Sequence, residues 1–168
     1  NDSEVSIVGY EYKYPDGKGS KRKTSKLRNV GKGLVIPAIL EGYPVTEIGN
    51  KAFFCAQNLK GVVIPDSVRT IGESSFMYCT SLTNLIVPKN VTNIALRAFR
   101  QCKGLTNIVI NDGVTYLGDY AFGGCSNLLT VSLPNSITNI NEGVFINCSS
   151  LLCVNAGKDL EDRKEKKK

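Results

Sequence analysis

The sequence is poor in the residues that most often carry chemistry. Its 168 residues include no histidine, no tryptophan and a single methionine. Histidine is the usual general base near neutral pH and the commonest metal ligand in proteins, so its absence argues against catalysis and against a metal site. No serine or aspartate has an evident base partner either. We therefore expect no enzyme activity, no catalytic residues, no metal, no cofactor and no small-molecule substrate.

The chain also lacks a long hydrophobic run. No apolar stretch approaches the roughly 18 residues that cross a membrane, which predicts no transmembrane segment. Hydrophobic residues make up 42% of the sequence and charged residues 21%, which is ordinary for a soluble globular domain. The sequence begins at Asn1 without an apolar signal-peptide core, so we expect either that a signal peptide has been removed or that this is a piece of a longer chain.

Acidic residues are scarce between residues 13 and 32. The formal charge is +6, and residues 13–32 contain eight basic residues against one acid, Asp16. Residues 159–168 mix acids and bases and include one apolar residue, Leu160. Such segments either bind an acidic partner or lie in solvent as a loop and a frayed tail, and the second interpretation is favoured.

The abundant feature is repetition at a fixed period, which the phenylalanines mark. They recur at Phe53, Phe76, Phe99, Phe122 and Phe145, a period of 23. Three more apolar columns keep the same period: Leu59, Leu82, Leu105, Leu128 and Leu151; Ile48, Ile71, Ile94, Leu117 and Ile140; Val45, Val68, Val91, Val114 and Ile137. A fixed period of this length predicts a solenoid, in which each repeat is one coil that buries its apolar face only against a neighbouring coil.

Each repeat is predicted to contain two short strands and a tight segment. Residues 82–88 alternate as a strand does, with Leu85 and Val87 pointing inward, and a proline ends the strand. Residues 91–94 form the second predicted strand. The segment that follows carries phenylalanine and cysteine three residues apart, which predicts a short helix or 3₁₀ turn. Stacking then produces two parallel sheets and an internal column of phenylalanine rings.

The first 44 residues do not keep the period. Residues 4–14 alternate like a strand, and a turn, the basic stretch and an extra strand at 34–37 follow. We interpret residues 1–44 as an N-terminal β cap with a basic loop, 45–154 as five repeats, and 155–168 as a charged C-terminal tail that is predicted to be disordered. The last coil has a less obvious cap, so either the array is longer than this sequence or the tail covers the coil.

The cysteines are predicted to be buried free thiols. Five of the six are interpreted as one column, with the segment before the first of them one residue short: Cys55, Cys79, Cys102, Cys125 and Cys148. Parallel side chains about 4.8 Å apart suit a thiol ladder better than disulfides, and they would not surround a zinc ion. Cys153 lies outside the column, and an inward position is preferred over an accessible one.

The repeat resembles the BspA-like leucine-rich repeat family, a 23-residue class of leucine-rich repeat. The resemblance covers residues 34–154 and is carried by Ile64-Pro65-Asp66-Ser67-Val68-Arg69-Thr70-Ile71-Gly72, by Ser75-Phe76-x-x-Cys79-x-x-Leu82 and by their later copies. Departures are Asn111 in place of proline, and Ala95 and Asn141 in place of glycine. The resemblance implies a leucine-rich repeat solenoid of parallel β coils with no catalytic residues. It also implies a secreted or cell-surface protein, of bacteria or protozoa, that adheres to host proteins or other cells.

The outward residues of the longer strands form the predicted binding surface. They are Val63, Asn84, Ile86, Asn107, Val109, Thr130 and Ser132. This surface has almost no charge and includes an apolar stripe, which sometimes marks a contact site, although an ordinary sheet surface is an equal alternative. We predict a non-enzymatic adhesion protein whose concave sheet binds a protein or a glycan. Two alternatives stay open: polyanion binding by the basic stretch at 18–32, with nucleic acid the less favoured polyanion, and a structural spacer.

Overall fold

A computed structural model describes residues 4–6, 10–13, 20–23, 26–28, 33–40, 42–137 and 140–155. Within these residues the regular structure is entirely β, with no helix. The strands are β1 (Glu4–Ser6), β2 (Tyr10–Lys13), β3 (Ser20–Lys23), β4 (Lys26–Arg28), β5 (Leu34–Val35), β6 (Ile39–Leu40), β7 (Tyr43–Pro44), β8 (Glu47–Ile48), β9 (Val62–Val63), β10 (Thr70–Ile71), β11 (Asn84–Val87), β12 (Asn93–Ile94), β13 (Asn107–Ile110), β14 (Tyr116–Leu117), β15 (Thr130–Ser132) and β16 (Cys153–Asn155). Apart from Asn155 in β16, the predicted C-terminal tail lies outside the described residues.

Two parallel sheets run along the stack of coils, as the repeat predicts. The long-strand sheet consists of β5, β9, β11, β13, β15 and β16, with a single bridge between Gly61 and Asn84 joining β9 to β11. The short-strand sheet consists of β8, β10, β12 and β14. From β8 onward, paired residues are one period apart in the sequence, so each repeat is one coil of the solenoid.

The N-terminal segment pairs antiparallel instead. Strand β1 pairs with β4, β2 pairs with β3, and β6 pairs with β7. The basic stretch was predicted to be a loop, and this was wrong, because β3 and β4 both lie within it. Lysine is common on edge strands of natural sheets, so a lysine-rich segment can form a paired strand. Strand β2 approaches β8, the first strand of the short-strand sheet, at the end of the stack where a cap is expected.

The core lies between the two sheets and the turn segments. Strands β11 and β13 alternate between exposed and buried residues, and Leu85 and Val87 are buried as predicted. The five phenylalanine rings form one continuous stack, with successive centroids 4.7, 5.0, 5.3 and 5.7 Å apart and ring planes within 9° of parallel. The last repeat departs from the pattern: Ile140 is 38% exposed and Phe145 and Leu151 are half-buried, whereas Ile94 is fully buried.

The segment around each phenylalanine is not helical, contrary to the prediction. In the second coil, N–H groups of Ser75, Met77 and Cys79 donate to carbonyls three residues earlier. The intervening N–H groups, from Ser74, Phe76 and Tyr78, donate to carbonyls of the next coil. In a helix, the N–H groups beyond the first turn donate to carbonyls of the same segment. Here half of the N–H groups donate to carbonyls of the next coil and so hold the two coils together.

This alternation requires a left-handed backbone at two positions in every coil. The residues concerned are Lys51, Ser74, Arg97, Tyr120 and Gly143 at the first position, and Cys55, Tyr78, Gln101, Gly124 and Asn147 at the second, all with φ between 52° and 75°. Left-handed φ costs roughly 1 kcal/mol or more per non-glycine residue. The hydrogen bonds between coils and the buried phenylalanines offset that cost.

The cysteine column has four members, not the predicted five. Cys79, Cys102, Cys125 and Cys148 each donate a thiol hydrogen bond to the carbonyl of a phenylalanine in the preceding coil, at 3.1–3.3 Å. Cys55 instead occupies the second left-handed position and is exposed, and Ala56 fills the column. The first coil therefore keeps the full period. Cys79, Cys102 and Cys125 are buried free thiols, as predicted.

Candidate functional site

The seven predicted site residues lie together on the outer face of the long-strand sheet. All seven side chains are exposed, and Val63, Ile86 and Val109 are 57%, 62% and 42% exposed. Strand pairing arranges them in two rows along the stack. The first row contains Asn84, Asn107 and Thr130, and the second contains Val63, Ile86, Val109 and Ser132.

Buried neighbours hold this face in place. Each outward residue alternates with an inward one, and Leu85, Ile108 and Val131 are at most 2% exposed. Parallel hydrogen bonds fix the register of each strand against the next. A face built on such a core loses little conformational freedom when a partner binds, which favours affinity.

The first row carries a hydrogen-bonded polar ridge. Thr130 Oγ1 donates to Asn107 Oδ1 at 2.9 Å, and Asn84 Nδ2 donates to Thr83 Oγ1 at 3.3 Å. Thr83 and Thr106 in turn donate to carbonyls of the preceding coil. These contacts orient the amides and hydroxyls before any partner arrives.

The face is free of charge. The six strands of the long-strand sheet contain no lysine, arginine, aspartate or glutamate, although the chain carries a formal charge of +6. Lys60, at the rim of the first repeat, is the charged residue nearest in sequence to the strand residues of that coil. Contacts on this face therefore depend on apolar burial and neutral hydrogen bonds, which salt screens little.

The structure adds residues that the sequence-based prediction missed. Val35 in β5 pairs with Val63 and is exposed, which extends the second row by one coil. The hairpin β6–β7 lengthens the connection between these two valines beyond one period, and this hid Val35 from a search at the repeat spacing. At the other end, β16 adds Asn155 to the second row and Cys153 to the first.

Cys153 points outward, so the preferred inward placement was wrong. Its thiol is exposed and lies 3.0 Å from Asn155 Oδ1. The parallel register explains this, because Cys153 pairs with the outward Thr130 and leaves Val154 as the inward residue. Counting one period onward from Thr130 would have found it.

Two classes of site are not found in the described part of the chain. It holds no group of three or more histidine, cysteine or acidic side chains that could bind a metal ion. Since the described residues form no helix, none of them forms an apolar helix of membrane-spanning length.

The repeats match a known family. The profile described as BspA type leucine-rich repeat region matches residues 46–166 in six copies. The chain therefore belongs to the BspA-type leucine-rich repeat family. No curated protein matches it significantly.

Solved structures of bacterial leucine-rich repeat proteins share the fold. A leucine-rich repeat protein of T. pallidum is 33% identical with a TM-score of 0.75, and the match covers 88% of this chain and 68% of that one. A leucine-rich cell surface protein of Faecalibacterium prausnitzii is 27% identical with a TM-score of 0.77, over 96% of this chain and 42% of that one. A protein of Bacteroides ovatus is 24% identical with a TM-score of 0.53 and shows the fold alone.

Proposed function

We propose that this chain is a non-enzymatic binding module that adheres to a protein through the outer face of the long-strand sheet. The observation that carries the proposal is the uncharged row formed by Val35, Val63, Ile86 and Val109, which is exposed on a rigid parallel sheet. A continuous row of exposed aliphatic residues is one of the surface features that mark contact sites for a partner.

Family membership supports a binding role, since solenoids use surfaces assembled from several repeats to recognise partners. The relative from F. prausnitzii is a cell surface protein, and we propose the same surface location for this chain. Adhesion to host proteins or to other cells is the activity that such a location would serve. These finer points rest on the resemblance to that relative and on the exposed face together.

The test replaces two neighbouring residues of the face. Ile86→Lys with Val109→Lys should weaken binding to a panel of immobilised extracellular-matrix proteins and intact epithelial cells at least tenfold, because a lysine cannot bury against an apolar partner. The melting temperature should stay nearly unchanged, since neither side chain is in the core. Thr92→Lys with Thr115→Lys is the matched control. It adds the same charge to exposed residues of two adjacent coils outside the long-strand sheet.

A third variant separates the alternative functions. Replacing Lys21, Arg22 and Lys23 of β3 by serine should leave binding intact. If that variant loses binding, and wild-type binding falls steeply with added salt, polyanion binding replaces our proposal. If the wild-type chain binds no surface in the panel, a spacer role is the better account.

A further inference from the structure

The exposed apolar residues on and beside the long-strand sheet lie in two groups. At the N-terminal coils they lie in the second row, at Val35, Val63, Ile86 and Val109. At the C-terminal coils that row turns polar, and the exposed apolar residues move to the rim before β15 and β16, at Leu129 and Leu152. Leu152 is 83% exposed. We call these six residues the apolar band.

The band is too small to hold a folded partner by itself. Six strands about 4.8 Å apart span about 24 Å, and the two longest, β11 and β13, span about 13 Å each, so the sheet face covers at most about 300 Å² in projection. A stable interface between two folded proteins needs about 800 Å² on each side. A second copy of this chain would therefore not be retained by this face alone, whereas one extended segment of about seven residues matches its length.

The polar ridge that the band crosses suits a peptide backbone. One N–H of the Asn84 side-chain amide donates to Thr83 Oγ1. Its second N–H can donate to a partner, and its oxygen can accept from one. Asn107 and Thr130 stand at the same level on the next two strands. A peptide group has one donor and one acceptor, which such side chains satisfy without any charge. The six strands contain no aromatic residue on which a sugar ring could stack, which argues against a glycan.

We infer that the partner is recognised through one extended, uncharged peptide segment with aliphatic side chains, lying diagonally across the long-strand sheet from Val35 toward Leu152. The inference rests on the proposed binding function of the same face. Aliphatic side chains of the segment pack on the apolar band, and its peptide groups bond to the amides and hydroxyls of the ridge. Charged side chains would be excluded, because nothing on the six strands neutralises them.

Two pools of fluorescein-labelled nine-residue peptides test the inference. One pool alternates leucine, isoleucine or valine with serine, threonine or asparagine. The other keeps the polar positions and places lysine and glutamate in equal numbers at the aliphatic positions. By fluorescence anisotropy, the wild-type chain should bind the aliphatic pool at least tenfold better than the charged pool. Raising the salt from low to high concentration should change that preference by less than twofold.

Variants then place the peptide on the sheet. Ile86→Ser in the second row and Leu152→Ser at the rim before β16 should each weaken binding of the aliphatic pool at least fivefold. Tyr116→Ser, an exposed residue of the short-strand sheet, should not. Circular dichroism and melting curves verify that each variant is folded. Equal binding of both pools, or binding that Ile86→Ser and Leu152→Ser leave unchanged, would overturn the inference.

The inference and the proposed function can fail separately. If neither pool binds while matrix proteins still bind and Ile86→Lys with Val109→Lys abolishes that binding, the face is a binding site for something other than an extended peptide. If Ile86→Lys with Val109→Lys leaves binding to matrix proteins unchanged, the proposed function is wrong, and the peptide inference, which rests on it, is wrong as well.

Discussion

The central coils and the last coil contain the same residue types in the same register, yet they are buried to different degrees. Ile94, Phe99 and Cys102 are fully buried. Their equivalents two coils on, in the last coil, are less so: Phe145 and Cys148 are partly buried and Ile140 is exposed. A residue in a solenoid is covered partly by its own coil and partly by the neighbouring coils, so its contribution to stability depends on its position in the stack as well as on its residue type.

The thiols show the same contrast electrostatically. Burial raises the pKa of the Cys102 thiol well above its ordinary value. Interaction with the adjacent Cys125 thiol lowers the pKa of Cys148, and interaction with the Cys148 thiol together with burial raises the pKa of Cys125. At a given pH, the partly buried Cys148 therefore holds more thiolate than its buried neighbours, and thiolate is the reactive form.

The largest expected effect comes from truncating one ring of the phenylalanine stack. Phe99→Ala should lower the free energy of unfolding by about 3–5 kcal/mol, because it removes a fully buried ring stacked on both sides. Phe145→Ala should lower it by roughly half as much, because that ring stacks in the column on Phe122 and is partly exposed. Urea denaturation of both variants measures the difference. Equal losses would show that burial from neighbouring coils is not what distinguishes the two positions.

Thiol modification should follow exposure and pKa. With iodoacetamide at mildly alkaline pH, the exposed Cys55 and Cys153 should react first and Cys148 next. Cys79, Cys102 and Cys125 should react about a hundredfold more slowly than Cys148, since they are reached only when the coils open. Mass spectrometry of peptides taken at successive times gives the order. Modification of Cys102 as fast as Cys148 would contradict the comparison between central and last coils.

A smaller effect is expected from a polar atom in the core. Ser75 occupies a column otherwise filled by alanine and valine, is fully buried, and its Oγ has no hydrogen-bond partner among the described residues. Ser75→Ala should raise the free energy of unfolding by about 1 kcal/mol, because it removes an unpaired buried hydroxyl. The reverse change in the next coil, Ala98→Ser, should lower it by about 1–2 kcal/mol. Thermal melts of the two variants should shift in opposite directions, and shifts of the same sign would refute the argument.

Much of the architecture follows from the repeat period alone. Alternation in residues 82–88 predicts which side chains of β11 are buried and which form the outer face, because strand geometry sends successive side chains to opposite sides. The position of the seven face residues on one surface follows from the same register. What binds there stays a prediction, since exposed positions are free to vary without changing the fold.

The errors occur where the backbone departs from simple periodicity. A phenylalanine and a cysteine three residues apart lie on one side of a helix and equally on one side of successive turns, so the spacing cannot choose between them. Hydrogen bonds between successive coils favour the turns over a helix, such as the bond from the Phe76 N–H to the carbonyl of Ala98. Cys55 was wrongly assigned to the cysteine column because it is a cysteine. It lies 24 residues before Cys79, one more than the repeat period, and Ala56 is the residue at the column position.

By itself, the sequence determined the repeat, the two strands of each coil, the buried columns and the uncharged outer face. Each of these depends on the local alternation of apolar and polar residues, which hydrophobic burial converts directly into inside and outside. Only the tertiary structure decided the left-handed turns, the place of Val35 in the sheet, the outward thiol of Cys153 and the two groups that make up the apolar band. These features arise from contacts between coils. Stacking brings residues that are distant in the chain into hydrogen-bonding contact, and a local sequence pattern does not reveal those contacts.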